Sequence, residues 1–219
     1  MGWPATVRYG IDPAPGGLAL VQDLLNTAPA GPGELDLLDR GETALRWWDE
    51  ARTSWEVATR RTSAESVLTK TDLDGLRTFR DGLRLVVTGN NSGDAGTSDR
   101  DAWSPPLASV VLRLGDDGQL QLEPRDKGWR AIATVALIEV MEAQRVDTWR
   151  RLKTCREPLC RAAFYDHSKN NSKVWHDVHT CGNAVNLRAH RTRVQVARSH
   201  PSETSGPPRQ PADRMKSRT

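Results

Sequence analysis

The sequence predicts an α+β protein: a mainly helical N-terminal domain with a β-hairpin, followed by a small Cys- and His-rich module that ends in a basic helix. Three observations predict it. Apolar residues recur at helical spacing in four stretches of the first 150 residues, and they alternate over one short pair of segments. All three Cys and all five His fall between 155 and 200. A chain of 219 residues has room for one medium domain plus a smaller module.

Residues 1–16, rich in Gly and Pro, read as a flexible lead-in, and the mainly helical domain as 17–150. Leu18, Leu20, Val21, Leu24 and Leu25 mark a first helix, ended by Asn26-Thr27 and the Pro29–Gly33 cluster. A second covers about 42–60, with Leu45, Trp48, Ala51, Trp55 and Ala58 on one face. A third covers about 71–88, where Leu73, Leu76, Phe79, Leu83, Val86 and Val87 line up behind Thr71 as N-cap. The polar, Gly-rich stretch at about 89–104 reads as a mobile loop. Val110, Leu112 and Leu114 then alternate up to Asp116-Asp117-Gly118, and Leu120 and Leu122 alternate on the return, which is a hairpin signal. The fourth helix, about 128–150, carries Trp129, Ile132, Ala133, Ala136, Leu137, Val140 and Met141 and is expected to run through Trp149 into the Cys-rich module. That module spans 151–198, and 199–219 reads as a disordered basic tail.

Eight Trp against two Phe and two Tyr predict bulky core anchors for a chain that is only 37% hydrophobic. No run approaches the roughly 18 apolar residues of a membrane helix, and the first ten residues lack a signal-peptide pattern. A cytoplasmic protein without a membrane partner is expected. The net charge of +3 conceals a division. Residues 151–219 hold 14 Lys/Arg against 5 Asp/Glu, and the first 150 hold 17 against 23. A basic segment on an acidic body points to a polyanionic partner for the segment alone.

Three cysteines in a cytoplasmic chain point to metal or thiol chemistry rather than a disulfide framework. Cys155-x4-Cys160-x15-His176-x4-Cys181 gives two closely spaced ligand pairs across a longer loop, the pattern a tetrahedral zinc site needs. Three thiolates and one imidazole close the coordination shell around one structural Zn2+, so no catalytic residues are expected. His179 and His167 lie near enough to be alternatives to His176. The carboxylates Asp36, Asp39 and Glu42 read as a solvated surface. Beyond Cys181, a helix from Asn183 would line up Arg188, Arg191, Gln195 and Arg198, with Val185 or Ala184, Leu187 and Val194 turned inward. Lys169, Asn171 and Lys173 add donors in the preceding loop, so these three and Arg188, Arg191 and Arg198 are the candidate nucleic-acid contacts.

Cys155, Cys160, Phe164, Asp166, Ser168, Asn171, Ser172, Trp175 and Cys181-Gly182-Asn183 together resemble the CGNR-type zinc finger. In that family the module usually follows an ABATE domain, which Leu20 to Thr27 (LVQDLLNT), the hairpin and the helix before Cys155 resemble more weakly. The resemblance implies a bacterial, stress-responsive transcription regulator that contacts DNA through the finger and its basic helix. The N-terminal domain would sense a signal or form a homodimer. A protein-interaction or RNA-binding module is the alternative. Two positions depart from the family pattern: its third Cys is His176 here, and its closing Arg is Ala184. With one thiolate fewer, the site is expected to yield its metal more readily to a chelator at mildly acidic pH.

Overall fold

The computed structural model describes residues 2–31, 33–62, 68–91, 103–104 and 106–199. Six helices, α1 (Pro4–Val7), α2 (Leu18–Asn26), α3 (Gly41–Thr59), α4 (Lys70–Thr88), α5 (Trp129–Arg145) and α6 (Asn183–Ser199), combine with two separate antiparallel hairpins among the described residues. The hairpins are β1 (Val110–Leu114) with β2 (Leu120–Pro124), and β3 (Leu152–Thr154) with β4 (Ala163–Tyr165). This is the predicted α+β class, with a helix after the Cys/His segment.

The core is built around α2, all nine of whose residues are buried. A helix enclosed on every side must satisfy its polar groups internally. Asp23 accepts from the Thr6 amide (2.7 Å) and the Trp47 indole (2.8 Å). Gln22 accepts from the Ala14 amide and donates to Asp12 O (3.1 Å). Asn26 faces Ala163 of β4 and both accepts from its amide (2.8 Å) and donates to its carbonyl (3.0 Å). The carbonyl end of α2, which helical bonding leaves open, is met by two arginines. Arg8 donates to the carbonyls of Asn26, Thr27 and Ala28, and Arg84 donates to that of Leu25. Cationic groups there also complement the helix dipole.

Several expectations are corrected. Residues 2–16 do not form the expected flexible lead-in. Trp3, Ala5, Thr6 and Ala14 are buried, because α2 needs that segment's amides and carbonyl as hydrogen-bond partners. The buried face of α3 is rotated toward Trp47, which Asp23 holds, and leaves Ala58 exposed. Thr69, not Thr71, caps α4, in a reciprocal capping box with Asp72. The stretch at 89–104 is anchored at its start, where Asn90 donates to the carbonyls of Trp149 and Leu152 and Asn91 to that of Thr154. Residues 92–102 of that stretch lie outside the described residues, as do 200–219 of the tail. Helix α5 does not run through Trp149. It stops at Arg145, and Asp147 turns the chain with φ 57° before Thr148 donates back to Ala143 O. Asp36 is not a solvated carboxylate but pairs with buried Arg80 at 2.7 Å.

The β1–β2 hairpin follows the predicted turn, with Gly118 at φ 74°. Its register places Val110, Leu112, Leu114, Leu120, Leu122 and Pro124 on one face, yet Leu112 is 66% exposed. No helix of the described residues is long and apolar enough to cross a membrane.

Buried Asp23 predicts a pH effect on stability. Burial lifts its pKa to about 6, against the opposing hydrogen bonds from Thr6 and Trp47. The unfolded value lies near ~3.9, so between that value and about 6 the native state binds more protons than the unfolded chain. Stability from this group therefore grows as pH falls through about 6. Between pH ~7 and ~5 the stability of the native chain relative to Asp23→Asn should rise by roughly 1 kcal/mol. Paired denaturant titrations at the two pH values measure this, and the difference cancels the acid sensitivity of other groups. A pH-independent difference would contradict it.

Candidate metal centre

The Cys/His module begins as an extension of the core. Strand β3 pairs with β4, and the Cys155 amide continues the ladder to Ala162 O at 2.8 Å. The chain then turns tightly over Glu157-Pro158-Leu159. The amides of Cys160 and Arg161 both donate to Glu157 O, and Arg161 takes φ 54° to return the chain to β4. Cys155 and Cys160 thus sit at the two ends of one turn.

The longer loop is organised by an ion pair that sequence reading did not single out. Lys153 and Asp166 are both buried and pair at 2.9 Å. The Lys153 ammonium also donates to the carbonyls of Asn171 (2.7 Å) and Lys173 (3.2 Å). Asp166 also accepts from the amides of Ser168 and Lys173, both at 2.8 Å. Burial alone would raise the Asp166 pKa, but the bonds from Lys153, Ser168 and Lys173 hold it down at about 2. The Phe-x-Asp-x-Ser pattern is therefore a loop-closing device: Phe164 fills the core, Asp166 gathers three donors and Ser168 starts the turn. Trp175 then packs against the cysteines. Asp177 caps the π-helical turn Val178–Gly182 by accepting from the His179 amide at 2.7 Å, and this turn carries Cys181 into α6.

These turns bring Cys155, Cys160, His176 and Cys181 together, with every ligand atom within 4.8 Å of the others. His176 Nδ1 lies 3.4 Å from Cys160 Sγ and 3.6 Å from Cys181 Sγ. A tetrahedral zinc with Zn–S of about 2.3 Å and Zn–N of about 2.0 Å separates S and N by about 3.5 Å. The donor set therefore fits one zinc ion, held by three sulfurs and the Nδ1 of one imidazole. Backbone amides of Glu157 and His176 point at the Cys155 sulfur and that of Ala162 at Cys160, which stabilises thiolates. The Cys155 thiol is drawn well below its ordinary value, first by its hydrogen bond with Cys160, while that bond and burial push Cys160 up. Three thiolates so close together need a positive ion between them. Neither alternative histidine joins this group: His167 packs its ring edge-on against Tyr165, and His179 is exposed.

A Cys3His zinc-binding module is what this geometry defines. Residues 151–194 match the family described as CGNR zinc finger, so a zinc finger module of that kind is present in the chain. No curated protein matches the chain.

The predicted nucleic-acid contacts fall in different settings. Lys169 and Arg191 are exposed. Lys173 is half-buried, with its ammonium 5.7 Å from the centre of the Phe164 ring. Asn171 adopts φ 49° and donates to Arg150 O at 3.3 Å, so its side chain helps shape the loop. Arg188 pairs with Glu157, a buried carboxylate in the first Cys turn, and so ties α6 to the metal centre. The Arg198 side chain lies outside the described residues. Ala184 and Val185 are half-buried as expected, but Leu187 is 52% exposed. The Val194 side chain lies outside the described residues.

Proposed function

We propose that the protein is a transcription regulator, of the stress-responsive type that accompanies ABATE domains, and that it contacts DNA through α6. The observation that carries this reading is the character of α6. From Asn186 to Arg193 every residue is exposed, and no acidic residue occurs between Asp177 and Glu203. A helical stretch that is exposed from Asn186 to Arg193 and carries only positive charge is suited to a phosphate-lined groove. The zinc module and the Arg188–Glu157 pair fix the root of the helix. Arg191 and Arg193 then extend beyond that root, and Arg193 belongs with the predicted contacts although it was not among them. The body, built around α2, would supply sensing or self-association.

A gel-shift titration of the zinc-loaded protein across salt tests the reading. Affinity should fall steeply with rising salt, and Arg191→Ala with Arg193→Ala should reduce the log–log slope by roughly 2. Salt-insensitive binding, or none to duplex DNA, would contradict it. Tighter binding to RNA would favour the alternative of an RNA-binding module.

A further inference from the structure

A hollow of about 510 Å³ lies where α4, the carbonyl end of α2 and the first Cys turn meet. Its volume falls in the usual range of small-molecule sites, roughly 300–1,000 Å³. Pro29, Leu85 and Trp103 supply apolar walls, and Arg84, Arg161 and Asp81 supply the charges. The Trp103 ring is seated against α4 by Gly82, where a Cβ would stand 2.0 Å from the indole, and it contacts Phe79 with ring centroids 6.3 Å apart. Only glycine at 82 allows the ring to lie there as a wall.

The charges are not balanced. Arg84 is 8% exposed and its hydrogen bonds go to two carbonyls, those of Arg161 and Leu25; among the described residues it forms no ion pair with a carboxylate, and Asp81 acts on it only through its charge. Burial, then the charges of Arg80 and Arg161, lower its pKa to about 10. Asp81, the one acid that lines the hollow among the described residues, is bound to Arg80 at 2.9 Å. Arg161 is exposed and its guanidinium has no partner among the described residues. A buried cation with no carboxylate bonded to it is costly, and an anion seated beside it would form charge-assisted hydrogen bonds.

We propose that this hollow binds a small aryl anion, its ring against Trp103 and its carboxylate or phosphate facing Arg84 and Arg161. Such a ligand would bridge the helical body and the metal centre, because Arg161 directly follows Cys160 and its carbonyl already accepts from Arg84. The site is independent of whether α6 contacts DNA.

Fluorine NMR on the full-length, zinc-loaded protein tests this with 4-fluorobenzoate, 4-fluorophenyl phosphate and the neutral 4-fluorobenzyl alcohol. Saturable binding of at least one anion and none of the alcohol is expected, and the two anions distinguish a carboxylate from a phosphate site. Arg161→Gln and Trp103→Leu, each with wild-type zinc content, should both weaken that binding about tenfold. Three results would overturn the proposal: no saturable binding of either anion, equal binding of the alcohol, or unchanged affinity in either variant.

Discussion

Replacing His176 with alanine is expected to remove most of the zinc from a protein that otherwise holds one ion per chain, measured as metal content after dialysis. The four donors lie within 4.8 Å of one another, and each fills one vertex of a closed tetrahedron. Removing the imidazole opens that shell to water and leaves three crowded thiolates to share one ion. In small zinc fingers metal binding supplies on the order of 10 kcal/mol of folding free energy, so the loss should reach the structure. It should not reach all of it. The β3–β4 hairpin is held to the body by Asn26 and closed by the Lys153–Asp166 pair, none of which involves the metal. The turn at Val178–Gly182 and the start of α6 have Cys181, the Asp177 cap and the Arg188–Glu157 pair to hold them, and two of these three end on the metal knuckles. Hydrogen exchange on His176→Ala should therefore show lost protection from Cys181 through Thr192 while the amides of 152–154 and 163–165 stay protected. Retained zinc would reassign the fourth ligand to His179 or His167. Uniform loss of protection would show that the hairpin depends on the ion.

The metal set was legible in the sequence because ligand chemistry depends on residue type and spacing, and Cys155, Cys160, His176 and Cys181 keep both in one short segment. The helices were legible for a similar reason, since the apolar periods of 18–26, 41–59 and 70–88 repeat locally. Long-range polar partners were not. Asp23, Asn26, Lys153 and Glu157 are all buried, and each finds its partner only after the chain has folded. Polar residues at such positions read as surface until the acceptor across the core is known. The same blindness made the first 16 residues look loose, since Gly and Pro reveal nothing of the Asp23 carboxylate waiting for the Thr6 amide. It also hid the end of α5, which depends on a left-handed Asp147 rather than on any Gly or Pro.

Asn26→Leu is expected to cost on the order of 3 kcal/mol, a larger effect than a core substitution of similar size that removes no polar group. The leucine side chain fits the volume but satisfies nothing. It leaves the amide and carbonyl of Ala163 and the hydroxyl of Thr6 buried without the partners that Asn26 provides at 2.8, 3.0 and 3.2 Å. The Ala163 carbonyl keeps only a long bond from Gln22 (3.4 Å) and the Thr6 hydroxyl keeps Asp23, so the heaviest desolvation cost falls on the Ala163 amide. For a chain of this size the melting midpoint should fall by roughly 10 °C, measured by calorimetry on the zinc-loaded protein. The position of the contact makes a second consequence follow. Ala163 belongs to the strand that backs the first Cys turn, with the Cys155 amide bonded to Ala162 next to it. Freeing that strand should loosen Cys155 and Cys160 together, so zinc should pass to a competing chelator faster in Asn26→Leu than in wild type. Unchanged transfer alongside a lowered midpoint would mean that α2 stabilises the body without bracing the metal centre. Faster transfer would make the buried asparagine of LVQDLLNT the link through which the helical body and the zinc finger act as one unit.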